Sequence, residues 1–222
     1  ISACLVGSEM CIRDRVYAED MFQDSGLSAA ALHRARSPWR GMRTEVIGGQ
    51  LLDISLEAAG SESVELANSV NRYKTAAYTI ERPLHLGASI AGASEELIAA
   101  FRGYGQDIGI AYQLRDDQLG VFGDPAVTGK PAGDDLREGK RTELLALALR
   151  RADESDPQAA ATLRKLIGHT SDPQELSRLA QIIADSGAPE EIERRIASLT
   201  QSGLQHLRAA RVDPAVTETL EQ

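Results

Sequence analysis

Cysteine is nearly absent from this 222-residue chain: Cys4 and Cys11 are the only two, both near the N-terminus. That excludes a disulfide framework and a zinc site of the spaced-cysteine kind. No apolar run approaches the roughly 20 residues needed to cross a bilayer, so no membrane span is expected. The opening residues also lack the cationic start and apolar centre of a secretory signal. Basic residues are outnumbered, 24 against 33 acidic ones, for a formal net charge of −9. With no basic tract either, nucleic acid is excluded as a partner. Alternating β-branched runs, low-complexity tracts and internal repeats are all missing. What remains is 42% hydrophobic and 26% charged, an ordinary balance for a globular protein. The length suggests one domain or most of one, and the cytoplasm is the default setting.

From Val16 onward alanine and leucine dominate and the pattern reads as helix almost throughout. Helices are expected over 17–24, 27–35 and 38–59, with Pro38 opening the third and Gly60 capping it. Another runs from Ser63 to Pro83, which is expected to bend or break it. A long helix follows from Glu95 to about Val121. The glycines and prolines between Phe122 and Gly139 are too many for a helix. Amphipathic helices then cover 141–152, 156–168, 173–186 and 189–208, each with a polar or proline start signal or a glycine stop. The expected fold class is all-α, an antiparallel helical bundle.

Chemistry concentrates between Gly109 and Arg141, GIAYQLRDDQLGVFGDPAVTGKPAGDDLREGKR. Asp116 and Asp117 are adjacent, as are Asp134 and Asp135. Neighbouring carboxylates repel, and a cation between them relieves the repulsion. Oxygen ligands without nearby His or Cys favour Mg²⁺ or another hard divalent ion over zinc. Lys130, Arg137, Lys140 and Arg141 supply the opposite charge, suited to a phosphate ligand. Gln113 precedes the first pair by three and four residues, so a helix brings all three to neighbouring faces.

This segment resembles the second aspartate-rich region of the trans-isoprenyl diphosphate synthases, the polyprenyl synthetase family. Gly109, Tyr112, Gln113, Asp116, Asp117 and Gly120 meet its pattern in order, followed by the Gly-Lys turn and the Gly-Asp-Asp…Gly-Lys-Arg loop. Gln118 stands where the family usually has an apolar residue, and Gly120 replaces the third aspartate of the fuller motif. Upstream, Glu45, Gly49, Gln50 and Asp53 match the family's ExxxGQxxD helix, and Lys74-Thr75 its Lys-Thr pair. The resemblance covers about residues 17 to 220. It implies the isoprenoid-synthase type of bundle around a deep central cavity, without the N-terminal helices. The family's first aspartate-rich motif, its following arginines and a basic cluster are expected to precede this sequence.

What the resemblance implies for function is a prenyltransferase of isoprenoid biosynthesis. It would condense an allylic diphosphate head-to-tail with isopentenyl diphosphate, with Mg²⁺ as cofactor, most family members being homodimers. Asp116 and Asp117 are the implied metal ligands; Lys74, Lys130 and Lys140 would contact diphosphate, with Thr75 and Gln113 orienting the reactants. Asp53, Gln50, Asp134 and Asp135 would support these groups from behind. As given, the chain is expected to bind diphosphate without catalysing condensation. Two other readings remain: a terpene cyclase, whose Asn/Asp-Ser/Thr-Glu motif is not found in the C-terminal half, and a noncatalytic partner subunit of a complete synthase. The four histidines have no partner spacing and read as structural or surface residues.

Residues 5–15, LVGSEMCIRDR, look like the translation of a sequencing-library adapter. Residues 1–15 are therefore expected to be a non-native leader, leaving 16–222 as the C-terminal portion of a synthase domain. Deleting residues 1–15 should leave the thermal midpoint within about 2 °C, less than a 1 kcal/mol loss would shift it. A larger drop in the melting curve would mark the leader as native structure.

Overall fold

A computed structural model describes residues 16–129, 131–210 and 212–221, which form helices and turns with no strand among them. Helix α1 covers 16–23. It is followed by α2 (Ala29–Ala59), α3 (Val64–Val70), a π-helix (Asn71–Glu81), α4 (Arg82–Ala91) and α5 (Glu95–Phe122). Two short helices come next, α6 (Pro125–Thr128) and α7 (Asp134–Glu138). The chain then runs through α8 (Glu143–Ser155), α9 (Pro157–Leu166), α10 (Pro173–Asp185), α11 (Ala188–Ala209) and α12 (Pro214–Glu221). The all-α class expected from the sequence is the one observed. Residues 1–15, with both cysteines, lie outside the described residues.

Local chemistry sets the helix ends. The hydroxyls of Ser28, Ser63, Ser94 and Thr142 accept from the backbone N–H groups of Ala31, Leu66, Leu97 and Leu145, each satisfying one otherwise unpaired first-turn donor. Gly60 ends α2 with φ 61° and Gly92 ends α4 with φ 74°, the left-handed conformation that glycine takes without a Cβ penalty.

The order of the contacts establishes antiparallel packing. Along α2, Asp53 meets Lys74, Glu45 meets Arg82, and Arg34 reaches the carbonyls of Ser89 and Ile90. Residue numbers fall on one side as they rise on the other. The π-helix and α5 run the same way, through Thr75–Gln113 and Glu81–Arg102, and so do α5 and α11, through Asp107–His206 and Arg115–Glu193. The large apolar core lies on the C-terminal side, where Leu114, Leu136, Leu144, Leu149, Leu163, Ile167, Leu179, Ile183 and Ile192 are buried together. The buried residues of α2 are Ala31, Ala35, Pro38, Gly49, Asp53 and Leu56, mostly small, so that neighbouring backbones approach closely.

Three sequence expectations need correction. Pro38 lies inside α2 instead of opening it. Proline at 38 forfeits one bond to the Arg34 carbonyl, but contacts hold both flanks: Phe22 stacks on Trp39 at 4.8 Å, and Arg34 binds the end of α4. Pro83 does not break its helix either; the chain passes from α3 into the π-helix and straight into α4. An α-helix would press the proline ring against the carbonyl four residues earlier, and widening the preceding turns to i→i+5 bonding relieves that clash. Finally, the segment expected to be free of helix contains α6 and α7, ended by Gly129 and Gly139 with φ 70° and 77°.

The π-helix is held between two glycine-bearing helices. A Cβ on Gly49 would lie 2.5 Å from the backbone nitrogen of Lys74, and one on Gly109 would lie 2.5 Å from the Cα of Ala76. Backbone cannot swing aside as a side-chain tip can. Gly49→Ala should therefore cost about 1–3 kcal/mol, the range for overpacking, read as a lower denaturation midpoint. An unchanged midpoint would mean that the helices part freely here.

Candidate active site

Two adjacent residues of the π-helix face opposite neighbours. Lys74 pairs with Asp53 on α2, and the hydroxyl of Thr75 donates to Oε1 of Gln113 on α5 at 2.7 Å. The Gln113 amide then donates to Oδ1 of Asp117 at 2.8 Å and, more weakly, to Oδ2 of Asp116 at 3.4 Å. From the far side Lys140 donates to the same Asp117 oxygen at 2.9 Å and to Oδ2 of Asp135 at 3.3 Å. Five residues from four parts of the chain thus form one run: Thr75, Gln113, Asp117, Lys140, Asp135.

The two aspartates of the motif sit in different surroundings. Asp117 is 1% exposed and its Oδ2 has no hydrogen-bond partner. Burial pushes its carboxyl above the usual range, against the opposing pull of Lys140 and Gln113. Burial alone would lower Lys140, but attraction to Asp117 and then Asp135 outweighs it and holds the ammonium well above its usual range. Asp116 is only half-buried. Within one dipeptide, then, one carboxylate locks a lysine and an amide while the other stands nearer to solvent.

Gly120 explains itself in space. Any Cβ there would run into the Asp135 carboxylate. A third aspartate on α5 would have to displace the Asp135 side chain, and here α7 delivers a carboxylate into that space instead. Asp135 therefore belongs to the site, whereas its neighbour Asp134 pairs with Arg137 within α7. Gln50 is exposed on α2, apart from the run of contacts. Lys130 lies outside the described residues. Glu45, grouped by spacing with Gly49 and Asp53, does share their stripe, but Arg82 grips it with two hydrogen bonds. His85 accepts from the same guanidinium at 3.1 Å, and burial, then Arg102 and Arg82, bring its pKa to about 4.

Other charged groups near the site gave no signal in the sequence. Glu143, the first residue of α8, is 0% exposed; Arg195 of α11 binds one of its oxygens and the other has no partner. Glu57 lies one turn beyond Asp53 on the exposed face of α2, where partial desolvation followed by the Asp53 charge raises its carboxyl. In sequence both look like ordinary helix-surface glutamates.

Among the described residues no group of three or more His, Cys, Asp and Glu is arranged to hold a metal ion. The donors present, the carboxylates of Asp116, Asp117 and Asp135, are hard oxygens of the kind Mg²⁺ takes, and one Asp117 oxygen is unpartnered. They fit Mg²⁺ as a partial set, which the oxygens of a bound phosphate would complete.

A family model described as polyprenyl synthetase matches residues 31–185, and the chain belongs to that family. It is 40% identical over 129 residues to a geranylfarnesyl diphosphate synthase of Aeropyrum pernix, covering 57% of this chain and 40% of that one. With a geranylgeranyl diphosphate synthase of Mycobacterium tuberculosis the identity is 39% over 113 residues, 51% of this chain and 32% of the relative. Among solved structures, a geranylgeranyl pyrophosphate synthase of Corynebacterium glutamicum, complexed with isoprenyl diphosphate and magnesium, is 64% identical with a TM-score of 0.91. That match covers 93% of this chain and 58% of the other, so the chain spans well under two thirds of these relatives. No helix among the described residues is long and apolar enough to cross a membrane.

The environment of Glu143 generates a pH signature. Burial, opposed by Arg195, raises its pKa from 4.5 to about 7. Between those values the folded state holds a proton that the unfolded chain has released, so this group's contribution is full below pH 4.5 and fades as pH rises to about 7. Linkage puts the total at about 3 kcal/mol. Denaturation at pH 5 and pH 8 should show Glu143→Gln gaining on the wild type by up to that amount at the higher pH. A pH-independent difference would contradict the assignment.

Proposed function

We propose that this chain forms the diphosphate-handling part of a Mg²⁺-dependent prenyltransferase, which joins an allylic diphosphate head-to-tail to isopentenyl diphosphate. The observation that carries the reading is the run from Thr75 to Asp135, with Lys74 across from it and Asp116 on its more open side. The names of the relatives above support the same substrate class.

Each residue has a task that its surroundings suit. Lys74 and Lys140 offer ammonium groups to the diphosphate oxygens, and Lys130, from the glycine-rich segment, does the same. Asp53 and Asp117 hold the first two in place, so little side-chain freedom is lost on binding. Thr75 and Gln113, locked by their mutual hydrogen bond, orient the allylic end. Asp116 and Asp117, with Asp135 close by, would hold the metal. When bound, Mg²⁺ supplies positive charge that offsets the charge developing on the departing diphosphate. Gln50 and Asp134 support the edges. As in most of the family, the working form is a homodimer, located in the cytoplasm.

The chain as given binds diphosphate and Mg²⁺ together but does not elongate. Asp116, Asp117 and Asp135 are a partial ligand set, which would offset leaving-group charge only in part. Calorimetry with inorganic diphosphate should show binding with Mg²⁺ that weakens at least about tenfold without it. Lys140→Ala should cost about the same factor, the scale of one charge-assisted hydrogen bond. Diphosphate binding that ignores both Mg²⁺ and Lys140 would overturn the reading. Labelled isopentenyl diphosphate with an allylic partner should give no extended product; robust elongation would show a complete site in this chain.

A further inference from the structure

Lys140 reaches Asp117 from a loop, and something must fix that loop. Three residues on, Glu143 opens α8, and its carboxylate is fully buried against Arg195 of α11. The second arm of the Arg195 guanidinium donates to Oδ1 of Asn68 on α3 at 2.8 Å. Between Lys140 and Glu143, Thr142 is 6% exposed and caps α8 through Leu145. Three residues span at most about 11 Å, so the place where Arg195 holds Glu143 limits where Lys140 can go.

The same helix braces the aspartate motif directly. Gln118 donates to the Pro189 carbonyl at 3.2 Å, and Arg115 forms a two-pronged pair with Glu193. These residues flank Asp116 and Asp117 in sequence. Helix α11 thus holds the motif at Pro189 and Glu193, and at Arg195 it holds the start of α8, just after the lysine's loop. An apolar residue at 143 would fill the α8 core with no unpartnered oxygen. Replacing such buried pairs by apolar groups often leaves stability unchanged or improves it, so packing alone gives no reason for this pair. Arg195 can donate to Glu143 whether or not that carboxyl is ionised, so the tie does not depend on its protonation.

We propose that Arg195 is a positioning residue: through Glu143 it sets the start of α8, and so the place where the Lys140 ammonium meets Asp117 and the incoming diphosphate. The inference rests on the diphosphate reading above. It adds a residue outside every motif of the sequence, on a helix that carries none of the residues assigned above to diphosphate or metal.

The test separates positioning from packing with two variants, Arg195→Met and the double variant Glu143→Met/Arg195→Met. One readout needs no ligand: the side-chain ammonium resonance of Lys140, assigned with Lys140→Arg and slowed in exchange by its two carboxylate partners. The other is Mg²⁺-dependent affinity for inorganic diphosphate. The double variant should recover the melting temperature to within about 2 °C of wild type, yet lose the protected ammonium signal and about tenfold in affinity. Arg195→Lys should restore part of both. A double variant that keeps the ammonium signal and binds within twofold of wild type would overturn the proposal, reducing the pair to packing. If the unmodified chain binds no diphosphate, the functional reading fails and the role toward substrate with it. The ammonium signal would then still report whether Arg195 places Lys140.

Discussion

A carboxylate buried to 1% exposure cannot stand alone, and Asp117 organises the centre of this protein around that constraint. Desolvating a charge is expensive unless cations and donors replace the lost water. Lys140 and Gln113 do so at 2.9 and 2.8 Å, and each is held in turn by a further partner, Asp135 or Thr75. Satisfying one buried charge therefore fixes the direction of a lysine, an amide and a hydroxyl drawn from three separate stretches of chain. Groups fixed before a ligand arrives lose little freedom on binding it.

That polar run exists only because the helices around it come unusually close. Glycines at 49 and 109 let α2 and α5 press on the backbone of the π-helix. The π-helix in turn sends Lys74 toward one neighbour and Thr75 toward the other. At the other end of the run, Gly120 leaves room for the Asp135 carboxylate. The large apolar core sits on the C-terminal side, so the site is built where small residues dominate and the hydrophobic mass lies behind it.

Much of this was legible in the sequence, for identifiable reasons. Helical periodicity and the serine and glycine caps located the elements, because those signals are local. The spacing of Glu45, Gly49 and Asp53 put them on one stripe, and Gln113, Asp116 and Asp117 on adjacent faces, because a helix maps sequence onto space directly. Proline misled twice: at Pro38 tertiary contacts outweigh one lost hydrogen bond, and before Pro83 a wider helix absorbs the clash. Long-range partners were out of reach. Nothing near Glu143 announces that Arg195, 52 residues on, will bury it, and a glutamate after a threonine cap reads as a routine helix start. Nor could the sequence separate the roles of Asp116 and Asp117, since their difference is one of burial.

That difference is the most direct point of test. Asp116→Asn and Asp117→Asn are compared by thermal melting and by Mg²⁺-dependent binding of inorganic diphosphate. If Asp117 is the buried organiser and Asp116 the outward ligand, Asp117→Asn loses both stability and affinity, because Lys140 loses the nearest carboxylate charge. Asp116→Asn should then lose affinity about tenfold while its melting temperature stays within about 2 °C of wild type. Equal melting temperatures for the two variants, or a larger stability loss at Asp116, would contradict the account.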